Sequence, residues 1–134
     1  MDEATVHAVA ERFVAFLETG APPPGLFADD VFCDFTMPLW RLQARGVEAV
    51  VALRHHGHPS PGEVPRWRCD VTPSGFVIEF EERWEQGGQR WYSREMARAE
   101  LAGGLVAEVS IYCTGDWDEQ LQARHAREVD LLRP

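Results

Sequence analysis

The sequence contains no lysine. Schiff-base chemistry on a lysine amine is thereby excluded. Its 13 basic side chains other than histidine are all arginines, set against 22 acidic ones for a formal net charge of −9. An acidic chain without a basic run is a poor partner for nucleic acid or an anionic membrane surface. No apolar run approaches the roughly 20 residues of a membrane span. The start, Met1-Asp2-Glu3, is acidic and does not read as a signal peptide. Three widely spaced cysteines, Cys33, Cys69 and Cys113, form neither a disulfide framework nor a zinc pattern. Reduced thiols in a cytoplasmic protein are the plain expectation.

What is present suffices for one domain over residues 1–134 with a real core. Val6, Val9, Ala10, Phe13, Phe16 and Leu17 recur at three- and four-residue spacing. They predict an amphipathic helix from Asp2, a plausible N-cap, to Thr19, stopped by Gly20. A stiff Pro-rich connector leads to one further helical turn at Leu26–Ala28. A strand around Asp34 comes next, in the stretch Val31 to Arg41, with Trp40 and Arg41 following it. Gly46 to His56 reads as a short second helix, with Val47, Val50, Val51 and Arg54 on related faces. From Pro65 the period changes to two: strands at 67–71, 76–81, 90–101 and 105–113 are separated by turns at Pro73-Ser74-Gly75, Gly87-Gly88 and Gly103-Gly104. Asp116 and Glu119 match a capping box opening a last helix. Helices segregated to one side of an antiparallel sheet predict an α+β fold.

The chemistry centres on the first strand. Cys33, Phe35 and Met37 share one face, and Phe32, Asp34 and Thr36 the other. Two readings of Asp34 stand. In one it projects into a pocket as a general base, its pKa raised by apolar neighbours. In the other it sits on the outer face, solvated or paired with an arginine.

Three stretches in this order, Leu26-Phe27-Ala28-Asp29-Asp30-Val31, Arg45-Gly46-Val47-Glu48-Ala49-Val50 and Gly103-Gly104-Leu105-Val106-Ala107-Glu108, resemble the nuclear-transport-factor-2-like superfamily. The likeness is to its SnoaL-like and ketosteroid-isomerase-like members in particular. It implies a cone: a curved antiparallel sheet wrapped on N-terminal helices around an apolar pocket, with a short C-terminal helix. It also implies homodimers through the outer sheet face, for which Trp67, Trp84 and Trp91 are suitable aromatics. Members include isomerases, dehydratases, epoxide hydrolases, cyclases and non-catalytic binders, so the fold does not name the reaction.

Residue by residue, the match to known chemistries is selective. Aligned without a gap, the base of the ketosteroid isomerases falls on Phe35, one position past Asp34, and their second acid falls near Ala97. The Arg-x-Asp pair of the epoxide hydrolases is missing at Phe80-Glu81-Glu82-Arg83. The late carboxylate of SnoaL-like cyclases is nearest Asp116, which reads more simply as a helix cap.

Glu95 shares its face with Ser93, Ala97, Ala99 and Leu101, small residues that leave room for a ligand; a cross-strand pair with an arginine is the alternative. His55, His56 and His58 cluster at a helix end. With no acidic partner spaced to them, they are not expected to hold a metal. His55 is the histidine expected to reach a pocket and pair with Asp34. The resulting expectation has Asp34, His55 and Glu95 as catalytic groups. Phe35, Trp40, Arg41, Phe80, Val109, Ile111 and Cys113 would bind substrate, and no metal or cofactor is called for. The function expected is acid/base isomerisation, dehydration or cyclisation of a hydrophobic, polyketide-like or polycyclic molecule. Non-catalytic ligand binding on the same fold is the alternative.

Overall fold

The computed structural model describes residues 1–134. Helix α1 (Glu3–Thr19) begins where Asp2 Oδ1 accepts the Thr5 amide at 2.8 Å and ends at Gly20, whose φ of 76° is left-handed. Its apolar stripe is buried as its spacing predicts, with Val14 added. Phe13 meets Phe76 and Phe80 edge-on, with ring centroids 6.3 and 6.1 Å away. Burying one such side chain contributes about 1.5–3 kcal/mol. Phe13 thus anchors the helix against the sheet.

The stretch from Val31 to Arg41 holds more than the Asp34 strand. It belongs to a hairpin of β1 (Phe27–Met37) and β2 (Trp40–Arg45). Pro38 and Leu39 make the turn, Leu39 at φ 63°. The helical turn expected at Leu26–Ala28 is also absent, because β1 has already begun at Phe27. The carbonyl of Leu26 accepts the Val106 amide at 2.8 Å, and Phe27 is paired with Val106. This long-range pairing overrides a weak local helical preference.

Helix α2 (Val47–Gly57) packs against the hairpin. Strands β3 (Gly62–Thr72), β4 (Gly75–Gln86), β5 (Gln89–Ala102) and β6 (Leu105–Cys113) follow as a meander. The six-stranded sheet has the order β2-β1-β6-β5-β4-β3. All neighbours are antiparallel except β1 and β6, which run parallel, so the sheet is mostly antiparallel. The parallel join brings the N-terminal hairpin beside the last strand and completes the curved, unclosed sheet.

The inner face carries Phe76, Ile78, Phe80, Glu82 and Trp84 from β4 and Ser93, Glu95, Ala97 and Ala99 from β5, all buried. Gly75, which opens β4, has no room for a side chain, since a Cβ there would lie 2.0 Å from the Ala99 carbonyl oxygen. Trp84 is an interior residue stacked on Trp91, and Trp67 packs against the core. Neither is the exposed aromatic expected for an interface.

Helix α3 (Glu119–Glu128) is capped by Asp118, whose Oδ1 accepts the Leu121 amide at 2.8 Å. The capping box expected at Asp116 and Glu119 is therefore displaced by two residues. Trp117 explains the shift: its backbone exchanges hydrogen bonds with Tyr92 at 2.7 and 3.1 Å, which holds residue 117 extended. This bridge lays α3 across the outer face of β5.

Candidate active site

Between the ends of α1 and α2 and the inner sheet face lies a cavity of about 50 Å³. Phe16, Leu17, Phe35, Val50, Leu53 and Ile111 give it apolar walls, and Arg54, His58 and Glu95 a polar end. It admits a few waters or a ligand of a few heavy atoms. It is far below the several hundred cubic ångströms of a pocket for a drug-sized molecule.

The polar end is built on three elements. Arg54 comes from the apolar face of α2, Glu82 from the inward row of β4, and Glu95 from the inward row of β5. Glu82 and Glu95 are 3% and 5% exposed. Burial of a carboxylate is tolerable only with a partner. Glu82 has one: Arg54 grips both its oxygens, Nη2 on Oε1 and Nη1 on Oε2 at 3.2 Å, while Nη2 also reaches the Leu17 carbonyl. Burial pushes the Glu82 carboxyl up, but the charge and hydrogen bonds of Arg54 outweigh it, so Glu82 stays below the ordinary range and ionised.

Glu95 has no such partner. Ser93 Oγ donates to its Oε1 at 3.0 Å, and the Cys113 thiol lies 3.7 Å from the same oxygen. Burial first, then the negative charge of Glu82 and a hydrogen bond to it, hold Glu95 well above the usual glutamate value. Its environment favours the protonated form. His58 completes the cluster, with a ligand atom of each of His58, Glu82 and Glu95 within 4.8 Å of the other two. Burial, then the nearby Arg54 cation, pushes the imidazole down to about 4. It is therefore neutral, with a lone pair available, and its ring packs on Trp84 at 4.3 Å. A neutral acid and a neutral base thus stand side by side at the end of an apolar cavity.

No protein-family model matches the chain, and no curated protein matches it in sequence. Solved structures do match. An NTF2-like protein from Anabaena variabilis superposes with a TM-score of 0.71 at 18% identity, over 84% of this chain and 89% of that one. The chain has the NTF2-like fold. A Xanthomonas campestris protein described as a candidate polyketide cyclase superposes at 0.64 with 12% identity, over 81% and 90% of the two chains. An LEH-like epoxide hydrolase from M. tuberculosis does so at 0.64 with 15% identity, over 82% and 83%.

Within this NTF2-like fold the residues singled out from the sequence separate clearly. Asp34 faces away from the cavity. Arg41 clamps it with Nε on Oδ1 at 2.8 Å and Nη2 on Oδ2 at 2.5 Å, and these hydrogen bonds hold its carboxyl below the usual range. The pocket reading of Asp34 is corrected, and Arg41 is removed from substrate binding with it. The physical reason is strand parity: Cys33 and Phe35 take the inner face, so Asp34 takes the outer.

His55 is likewise corrected. Its Nε2 lies 3.1 Å from the Gly20 carbonyl oxygen, tying α2 to the end of α1, and it reaches neither Asp34 nor the cavity. Glu95 lies at the cavity's polar end, and Phe35 and Ile111 are in its wall. Cys113 sits behind Glu95, its thiol pushed up to about 12 by burial and by the neighbouring carboxyl, which makes it a poor nucleophile. Phe80 and Val109 belong to the core rather than the cavity wall, and Trp40 is exposed at the hairpin turn.

Arg54, Glu82 and His58 are the residues that sequence reasoning missed as a group. The signals were present. Arg54 continues the stripe of Val47, Val50 and Val51, and Glu82 continues the alternation of Phe76, Ile78 and Phe80. A charged residue in register with buried ones needs a buried partner. The histidine cluster lacked an acid nearby in sequence, whereas the fold brings two to His58.

Proposed function

We propose that this chain catalyses proton transfer on a small neutral molecule, with Glu95 as general acid and His58 as general base. The observation carrying the reading is that Glu95, whose carboxyl is held well above the ordinary value, and His58, pushed down to about 4, meet at the end of an apolar cavity. Groups within 4.8 Å of one another suit removal of a proton from one atom and delivery to a near neighbour. That is the pattern of an isomerisation or a dehydration. In the dehydration the leaving hydroxyl takes the Glu95 proton and departs as water, while His58 accepts the proton from the adjacent carbon. The Glu82 carboxylate, held ionised by Arg54, favours the proton on Glu95. The cavity volume favours a substrate of a few heavy atoms; a polycyclic one requires the wall at Phe16 or Leu53 to move.

Deuterium incorporation from D2O into small ketones, followed by NMR, tests this directly. Glu95→Gln and His58→Gln are each expected to lower the exchange rate by about 10²–10⁴-fold while the fold is kept. Exchange that is absent, or indifferent to both substitutions, overturns the reading.

Non-catalytic ligand binding is the second reading, and one observation favours it. Every polar atom of Glu82, Glu95 and Arg54 that is sealed from solvent has a partner within the protein, Thr72 Oγ1 being the one buried side-chain polar atom without one. A self-satisfied cluster serves as scaffold as well as it serves catalysis.

A further inference from the structure

A second concave site lies on the opposite side of the sheet. The outer faces of β3, β4 and β5, the helix α3 and the segment after it enclose an open groove of about 390 Å³. That is within the range of small-molecule sites, and larger than the internal cavity. Its floor is a cross-strand row set by register: Arg66 opposite Glu81, and Glu81 opposite Arg94. The next row places Arg83 opposite Tyr92.

The charges in the groove do not cancel. Glu81 serves Arg66 at 3.4 Å and Arg94 at 3.9 Å, and also accepts the Tyr92 hydroxyl at 2.6 Å. Arg94 has a further contact with Glu79 at 4.0 Å. Arg83 has no carboxylate partner. Its guanidinium carbon lies 4.5 Å from the Tyr92 ring centroid, and its one side-chain acceptor is Gln122 Oε1 at 3.4 Å. In a chain of net charge −9, this is a local excess of positive charge.

An oxygen acceptor is already drawn into the groove. Arg66 Nη1 donates to the main-chain oxygen of Pro134 at 3.0 Å, which brings the segment after α3 over the site. Apolar surface lies alongside: the half-buried Trp117, which covers Tyr92 edge to face at 5.3 Å, and Leu131, both in the groove lining.

We propose that this groove binds a small carboxylate-bearing molecule with a flat apolar body. The carboxylate takes Arg83 and the Arg66 donor now on Pro134, and the body lies against Trp117 and Leu131. Guanidinium groups suit the planar carboxylate, which accepts paired hydrogen bonds. This site is independent of the inner cavity and of whether Glu95 is catalytic.

Sodium benzoate is the probe. Amide NMR of the full chain at constant ionic strength is expected to show saturable shifts around residues 66, 83, 94, 122 and 131. The expected Kd is on the order of 1 mM. Arg83→Gln is expected to weaken binding at least about tenfold, and Arg66→Gln to do so independently should the first variant fail to fold. Benzyl alcohol, which lacks the charge, is expected to leave these amides unmoved. Three results would overturn the assignment: shifts that do not saturate, binding indifferent to both substitutions, or inorganic phosphate binding as tightly as benzoate. A groove closed to benzoate by self-association, seen by sedimentation, would overturn it too.

Discussion

Glu95 is the diagonal neighbour of Glu82: Glu82 stands opposite Ser93 and Glu95 opposite Phe80, so the two acids project from the same face one step apart. Two buried carboxyls in that relation cannot both ionise cheaply. The arginine decides between them by gripping Glu82, and the proton stays on Glu95.

Glu82→Gln is therefore expected to lower the pKa of Glu95. The substitution removes the neighbouring charge and frees Arg54 to turn to the remaining acid. Side-chain ¹³C NMR of glutamate-labelled protein should show Glu95 titrating well above the ordinary value in the wild type and near or below it in the variant. A midpoint unchanged by the substitution would refute the shared-site account.

His58 and Glu95 tilt stability against pH in opposite directions. The folded value of His58 is depressed to about 4 from an ordinary 6.5. Its contribution is present in full above 6.5 and is lost as pH falls toward 4, amounting to about 3 kcal/mol. The folded value of Glu95 is raised, so its contribution is present below the ordinary glutamate value and is lost as pH rises through the folded one. Denaturant melts between pH 4 and 6.5 should show His58→Gln with a shallower loss on the acid side than the wild type.

Arg54→Met is expected to cost about 3–5 kcal/mol, because it strands a charged carboxylate in the interior. Replacing Glu82 as well, by Leu, should recover most of that loss. Equilibrium unfolding of the two variants checks the pair. Equal destabilisation in both would mean that Arg54 acts through packing alone.

Asp34→Asn is expected to change neither proton transfer nor cavity binding. The Asp34–Arg41 pair lies on the outer side of the hairpin, with Arg41 62% exposed. Exchange assays on the variant, beside a denaturation curve close to that of wild type, are the check.

Elements governed by neighbouring residues were readable in the sequence. Helix α1 declared its cap, its stripe and its stop, and the glycine pairs at 87–88 and 103–104 declared the meander. The hairpin turn at Pro38-Leu39 was hidden because Leu39 adopts a left-handed φ that its side chain disfavours. The start of β1 was hidden because its partner, β6, lies near the other end of the chain. Parity did place Glu95 on the face of Ser93, Ala97 and Ala99. What parity could not supply was the meeting of Glu82 with Arg54 and His58, since its distance from them along the chain is closed only when α2 settles against the sheet.

The placement of α3 has a consequence for self-association. With Tyr92 covered by Trp117, and the ground beside it overlain as far as Pro134, the outer sheet surface is no longer equally open along its width. A second copy approaching that surface would find its bare apolar footing at Met96 and Tyr112, 45% and 59% exposed on adjacent strands. Any such contact would be pushed off-centre toward β6, unlike one that used the full breadth of the sheet.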